Sequence, residues 1–289
     1  MAKRRKKKKK NRQGQKINPS KSQEVRYRRR LLSIVNQITR LVNKQLVPAI
    51  RNLEHEFVAD AKSTARVRLV QILNDLNKQS QQTNKNAFKW SESFVRGTDK
   101  ENERRNFRMF QRTIGIDLDR IIMNEGLTQG LRDDISMNVD LIKSIPNKYF
   151  FRLNRILNES LTEGRPAKSL IEQITELGHS TKARAKFIAR DQTATISGKL
   201  NERRSKNLDS MGYKWITSGD RRVRGNPSGL YPNAPFDHWD RNGEYFLWTK
   251  SSKKIISPNG KPFRQPPEDG NPGQPIGCRC TAIPVVPVG

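Results

Sequence analysis

At 289 residues the chain exceeds the commonest single-domain size and can bury a substantial core. Only 33% of its residues are apolar and 7% aromatic, which predicts elongated helices with much solvated surface rather than one deep globule. Lysine and arginine number 57 against 28 acidic residues, and the net charge of +29 points to a polyanionic neighbour, nucleic acid first. The longest apolar runs, such as Leu31 to Val35, fall far short of the ~20 residues of a membrane helix, which excludes a spanning segment. No apolar stretch follows the charged N-terminus, so it is not a secretory signal and is expected to stay on the mature protein. Cys278 and Cys280, one residue apart, cannot staple distant segments as a secreted disulfide scaffold would, and a reduced, cytosolic origin fits them.

The chain opens with a basic run, Lys3, Arg4, Arg5, Lys6, Lys7, Lys8, Lys9 and Lys10, followed by polar sequence. Such a segment cannot offset its ordering entropy by burial, so residues 1–22 are predicted to be a disordered arm that meets double-stranded DNA through charge, without sequence specificity. Residues 23–137 read as helical. Leu31, Val35, Ile38, Val42, Leu46 and Ala49 recur at spacings of three and four, one face of a helix. Packing on the next helix is the leading expectation for that face, with a coiled-coil partner as the alternative. Val67, Val70, Leu73 and Leu76 repeat the pattern, which fades into a loop or frayed end over 77–86. His55, between two glutamates, is expected to be solvated. Gly97, Thr98 and Asp99 predict a break, and Gly115 interrupts a further apolar segment, Ile116 to Ile122.

In residues 138–210, Pro146 is expected to open a helix whose apolar face includes Tyr149, Phe150, Leu153, Ile156 and Leu157. Gly164, Arg165 and Pro166 mark a turn. A short helix through Leu170, Ile171, Ile174 and Leu177 should end at Gly178, with His179 a capping or surface residue and a new helix from Thr181 to Asn207. After Gly212 the helical period disappears and Gly, Pro, Trp and Tyr rise. Residues 211–289 therefore read as a small turn-rich β module, with strands at Lys214–Thr217, Glu244–Thr249 and Cys278–Val288, the last kept near an edge by Pro284 and Pro287. The fold class expected is α+β: a mainly helical N-terminal region, then the β module. Trp215, Trp239 and Trp248 belong more naturally to its core than to base stacking.

The order of landmarks in this module is Trp215, Asp220, Val223, Arg224, His238, Gly243, then Cys278, Arg279 and Cys280. Together with LIKSIP at Leu141–Pro146 and RAKFIARDQT at Arg184–Thr193, it resembles the Mu F-like phage head morphogenesis proteins, over roughly Asn138 to Val286. The sequence departs from that pattern by the segment GNPSGLYPNAPFD between Arg224 and His238, and by Gly277 where an asparagine often precedes the first cysteine. The resemblance implies a non-enzymatic minor head protein, a virion component near the portal vertex inside the capsid and in the host cytoplasm during assembly. It implies the portal protein, with capsid or scaffolding protein, as partners. A general basic nucleic-acid-binding protein without a capsid role is the alternative that the charge alone would also satisfy.

Three arrangements of the polar landmarks remain open. In the leading one Asp220 and Arg224 form a buried salt bridge, His238 hydrogen-bonds a turn and the cysteines pack as small hydrophobes. In the second, Cys278, Cys280 and His238 bind zinc, with Asp220 as fourth ligand; CxC is a weaker metal signal than paired CxxC. In the third, His238 is a general base and Asp220 or Asp237 holds a metal, a hydrolytic centre that no second acidic cluster supports. In the first two, Asp220, Arg224, His238, Cys278 and Cys280 converge on one structural site, as small modules often need.

Overall fold

The computed structural model describes residues 10–57, 62–114 and 127–288, and its fold is α+β. The helices are α1 (Lys21–Asn52), α2 (Lys62–Gln81), α3 (Ala87–Ile114), α4 (Leu127–Glu163) and α5 (Ala167–Asn207). The strands are β1 (Lys10–Gln13), β2 (Gly212–Ile216), β3 (Tyr245–Leu247) and β4 (Thr281–Val288). No helix among the described residues is long and apolar enough to cross a membrane. The chain forms two compact units that interleave in sequence. One comprises Glu24–Phe94 and Arg132–Arg190, the other Met1–Gln23, Val95–Leu131 and Asp191–Gly289.

The first unit is all helical. On α1, Leu31, Val35, Ile38, Val42 and Leu46 are fully buried, as the spacing predicts, and Ile50 extends the stripe where Ala49 is only partly covered. On α2 the inward face is Ala65, Leu69, Leu73 and Leu76, whereas Val67 is exposed. The polar stretch 77–86 is not a loop: α2 continues to Gln81 and a 3-10 turn, Gln82–Asn86, leads straight into α3. Leu76 and Ser80, four apart, keep α2 docked, and Ala87 is buried where α3 begins, in a run that looks polar overall. Tyr27 stacks on Phe94 at 3.9 Å, and its hydroxyl donates to Asn138 Oδ1 at 3.0 Å.

Pro146 lies inside α4 instead of opening it. An interior proline costs a helix about 3 kcal/mol. Burial of Ile145, Tyr149, Phe150 and Leu153 along the same face stabilises by about 1.5–3 kcal/mol for each such side chain, so packing wins. The predicted turn is present: Gly164, at φ +66°, ends α4, and Arg165 N–H closes back on Ser160 O at 2.9 Å. By contrast, α5 does not stop at Gly178. A side chain there would crowd Thr39, whose Cγ2 lies 3.2 Å from the would-be Cβ, so this glycine permits close helix packing rather than an end. His179 is an exposed mid-helix residue and His55 an exposed residue of a 3-10 turn, Glu54–Phe57.

The second unit holds the sheet, in the order β1-β4-β2-β3 with all neighbours antiparallel. The predicted edge position of the last strand is overturned, since β4 pairs with β2 on one side and β1 on the other. Pro284 is tolerated because its carbonyl, accepting Gly14 N–H at 2.9 Å, faces the β1 side just beyond the end of the β1 ladder; its missing donor therefore faces away from β2. Residues 10–22 are not part of a disordered arm as predicted: Lys10–Gln13 is a strand, Ile17 is buried, and α1 starts at Lys21. Lys3 to Lys9 lie outside the described residues, as does the expected break at Gly115 with its apolar segment.

Gly97 does not break α3, which runs unbroken to Ile114; the glycine admits Gln23, whose Oε1 lies 2.8 Å from the would-be Cβ. One turn on, α3 and α5 share a buried polar seam. Asn102 and Asn106 both donate to Asn201 Oδ1, at 2.7 and 3.0 Å, and Arg204, 2% exposed, pairs with Asp99 at 2.6 Å. Removing one partner of a buried ion pair costs about 3–5 kcal/mol, toward the lower end here because Asp99 keeps some solvent contact. Arg204→Ala is expected to lower the unfolding free energy by that amount in equilibrium urea unfolding; a loss of less than about 0.5 kcal/mol, ordinary for a surface position, would show that the seam does not hold the helices.

Candidate metal centre

Alternation along extended backbone builds the site. On β2, Tyr213 and Trp215 point to one face, and both are fully buried. Leading into β4, Cys278, Cys280 and Ala282 occupy alternate positions on the same apolar cluster, while Arg279 between them turns the other way and pairs with Asp220. A CxC spacing in extended chain thus places two thiols side by side, which a helix or tight turn would not. Trp215 lies opposite Ala282 in the β2–β4 register.

His238 comes from the long turn region between β2 and β3. Its backbone N–H and that of Trp239 both donate to Arg224 O, at 3.1 and 3.0 Å. The extra segment after Arg224 folds back on itself through Gly225 N–H to Tyr231 O, 2.9 Å, and Leu230 N–H to Arg221 O, 2.6 Å. Gly225 has φ +77° and the Asp237 carboxylate stands 2.0 Å from where a Cβ would be, so only glycine fits. Asp237 in turn caps Asp240 N–H at 2.9 Å. Gly243, at φ +86°, closes the region onto β2 by donating to Trp215 O at 2.8 Å. The inserted segment therefore delivers His238 to the sheet instead of displacing it.

There the imidazole, 2% exposed, faces both thiols through one nitrogen: Nδ1 lies 3.6 Å from Cys278 Sγ and 3.8 Å from Cys280 Sγ. The three potential ligand atoms all lie within 4.8 Å of one another. The other nitrogen, Nε2, is 2.7 Å from Asp269 Oδ2. Arg241 donates to Asp269 Oδ1 at 2.7 Å and lies over Trp215 at 5.0 Å, and Arg224 approaches Asp269 at 3.6 Å while donating to Ile276 O at 2.9 Å. Burial pushes the Asp269 carboxyl up, but hydrogen bonds from His238 and Arg241 outweigh it and hold the group below its usual value. The two thiols share their protons unequally. The hydrogen bond from Cys280, helped by His238, holds Cys278 well below the usual thiol value against its burial, while that same bond and burial push Cys280 up.

The expected Asp220–Arg224 salt bridge is not formed: Asp220 pairs with Arg279 and accepts Arg222 N–H at 2.8 Å, whereas Arg224 turns to Asp269. Asp220 is thereby removed as a fourth ligand, and convergence holds for His238, Cys278, Cys280 and Arg224 but not for Asp220. Asp237, spent on a turn, lies outside the cluster too. Trp215 and Trp248 are core, as expected, but Trp239 is not: it is exposed at the surface of the turn region.

Sequence reading missed Asp269, Arg241 and the platform beneath them. Asp191 Oδ1 on α5 accepts Gly277 N–H at 2.5 Å, and Glu202 Oε2 accepts Asn271 and Gln274 side-chain amides at 2.9 and 2.6 Å. Between them, Pro272 O lies 2.6 Å from the would-be Cβ of Gly198, so the segment lies flat on the helix. The RAKFIARDQT motif contributes Asp191, and EDGNPGQPIG, from Glu268 to Gly277, held the only signal for the rest: a turn-rich stretch with two acids just before CxC.

Residues 152–283 match the protein family described as "Phage Mu protein F like protein". The match takes in every landmark from Trp215 to Cys280 and is narrower than the motif resemblance, leaving Leu141–Pro146 outside. The chain is also 27% identical over 274 residues to an "Uncharacterized protein" of Haemophilus influenzae, covering 93% of this chain and 55% of that protein. The chain thus spans about half the length of the curated relative it matches. No solved structure matches.

Loss of Glu202 would release two charge-assisted hydrogen bonds from the platform, a cost of about 1.5–3 kcal/mol for such a bond. Glu202→Ala is expected to speed amide hydrogen exchange across Asn271–Gly277 by at least about tenfold while α5 keeps its protection. Unchanged exchange in that segment would show that the helix does not hold it.

Proposed function

We propose that this chain is a phage head morphogenesis protein: a minor, non-enzymatic structural component of the virion, held near the portal vertex inside the capsid. It contacts the packaged genome and assists head assembly, packaging or ejection. One observation carries the reading, the match of residues 152–283 to the Mu F-like family across the whole set of polar landmarks. The net charge of +29 supports it physically, because cations that neutralise phosphates release counter-ions and favour DNA of any sequence. The portal protein, with capsid or scaffolding protein, is the partner expected on this reading, and the protein is in the host cytoplasm while heads assemble.

Mass spectrometry of purified heads tests the reading. The protein is expected at low, fixed stoichiometry in complete heads and depleted from heads assembled without portal. Equal recovery from portal-less particles would refute the portal contact, and absence from all particles would leave a general nucleic-acid-binding protein.

The DNA contact is separately testable. Deleting residues 2–9 removes the seven basic residues Lys3 to Lys9. Affinity for duplex DNA should fall and its salt dependence should flatten, by up to about six in the slope of log K against log salt if all seven reach phosphates. An unchanged slope would remove the arm from the interface.

A further inference from the structure

The geometry points to a zinc-class divalent ion held by His238 Nδ1 and the thiolates of Cys278 and Cys280, fastening the start of β4 to the turn region before β3. This inference rests on the site alone and stands or falls independently of the head-protein reading. Imidazole nitrogen and thiolate sulfur are the ligand types that borderline-soft zinc prefers. With Zn–N near 2.0–2.1 Å and Zn–S near 2.3 Å at tetrahedral angles, a shared ion sets ligand edges of about 3.6 Å for N···S and about 3.8 Å for S···S. The N···S separations are 3.6 and 3.8 Å, so the ligands already stand about where a common ion requires them.

The surroundings complete the pattern. A metal-bound histidine donates its second N–H to a carboxylate or carbonyl, which fixes the tautomer and turns the free lone pair on the metal. Asp269 does this at Nε2, leaving Nδ1 aimed at the sulfurs, and Arg241 and Arg224 balance the carboxylate. All three ligands are buried, and two thiolates neutralise one divalent charge, so the filled site needs no further counter-charge. No other His, Cys, Asp or Glu among the described residues joins the cluster, so these three side chains are the ligands the site offers. The nearest carboxylate, Asp269, is behind the imidazole and occupied by cations. Held by the three ligands, the ion joins two segments 40 residues apart in sequence and fixes the start of β4 against the turn region.

The test uses the full chain purified under reducing conditions without chelator. Wild-type protein is expected to carry close to one equivalent of zinc by elemental analysis, to give the thiolate-to-metal absorption of a cobalt(II) derivative, and to melt lower after chelation. Cys278→Ser with Cys280→Ser should abolish the metal, the absorption and the effect of chelator on Tm. Should that variant fail to fold, Asp269→Asn provides a second measurement: it keeps the apolar cluster and is expected to weaken zinc binding about 10–100-fold in competition with a chromophoric chelator. Folded wild-type protein that takes up neither zinc nor cobalt would overturn the proposal and leave a hydrogen-bonded Cys–His cluster; Asp269→Asn protein with unaltered zinc affinity would overturn the placing of the ion on His238 Nδ1.

Discussion

A carboxylate taken largely out of water has to be met by donors and cations, and Asp269 meets three: His238, Arg241 and Arg224. Each lies far from it in sequence, on the turn region between β2 and β3, so this one group ties that region to the segment that leads into CxC. His238 is then fixed by its Nε2, Arg241 is laid across Trp215, and Trp215 is locked into the apolar face that the cysteines complete. The polar network and the apolar cluster are consequently one construction, joined where His238 and Arg241 meet Trp215.

The second support is helical. The C-terminal half of α5 presents Asp191, Gly198 and Glu202 on one face, at spacings of seven and four, and the segment from Asn271 to Gly277 lies along it. A turn-rich β module of this size buries little apolar surface by itself. The helix face supplies acceptors for Gly277 N–H and for the side-chain amides of Asn271 and Gln274, while turns within the segment satisfy Gln274 and Cys278 N–H. Within this unit, the part of α5 from Asp191 onward and the β module are held together by these contacts.

The same physics explains where glycine misleads. Gly97, Gly178 and Gly198 all look like interruptions of a helical pattern, yet each lies inside a helix where another part of the chain comes within touching distance of its backbone. Gly164, Gly225 and Gly243 look no different in the sequence, but adopt positive φ and do turn the chain. A glycine states only that a side chain is unwelcome, and the reason, conformation or proximity, lies in what packs against it.

The sequence by itself determined the α+β class, the apolar stripes of α1 and α4, the turn at Gly164, the core places of Trp215 and Trp248, and the candidate trio of His238, Cys278 and Cys280. These are local or composition-borne properties: helical period, strand alternation and residue chemistry survive in a linear reading. Only the tertiary structure decided that β4 is internal, that Pro146 is carried within a helix, and that Asp220 and Arg224 take different partners. The same holds for Asp269, the residue that orients the histidine, which is separated from it by 31 positions that include β3 and long turns. Pairing between groups so far apart depends on how the chain closes on itself, and no periodicity along the chain encodes which of several acids a buried arginine or imidazole will meet.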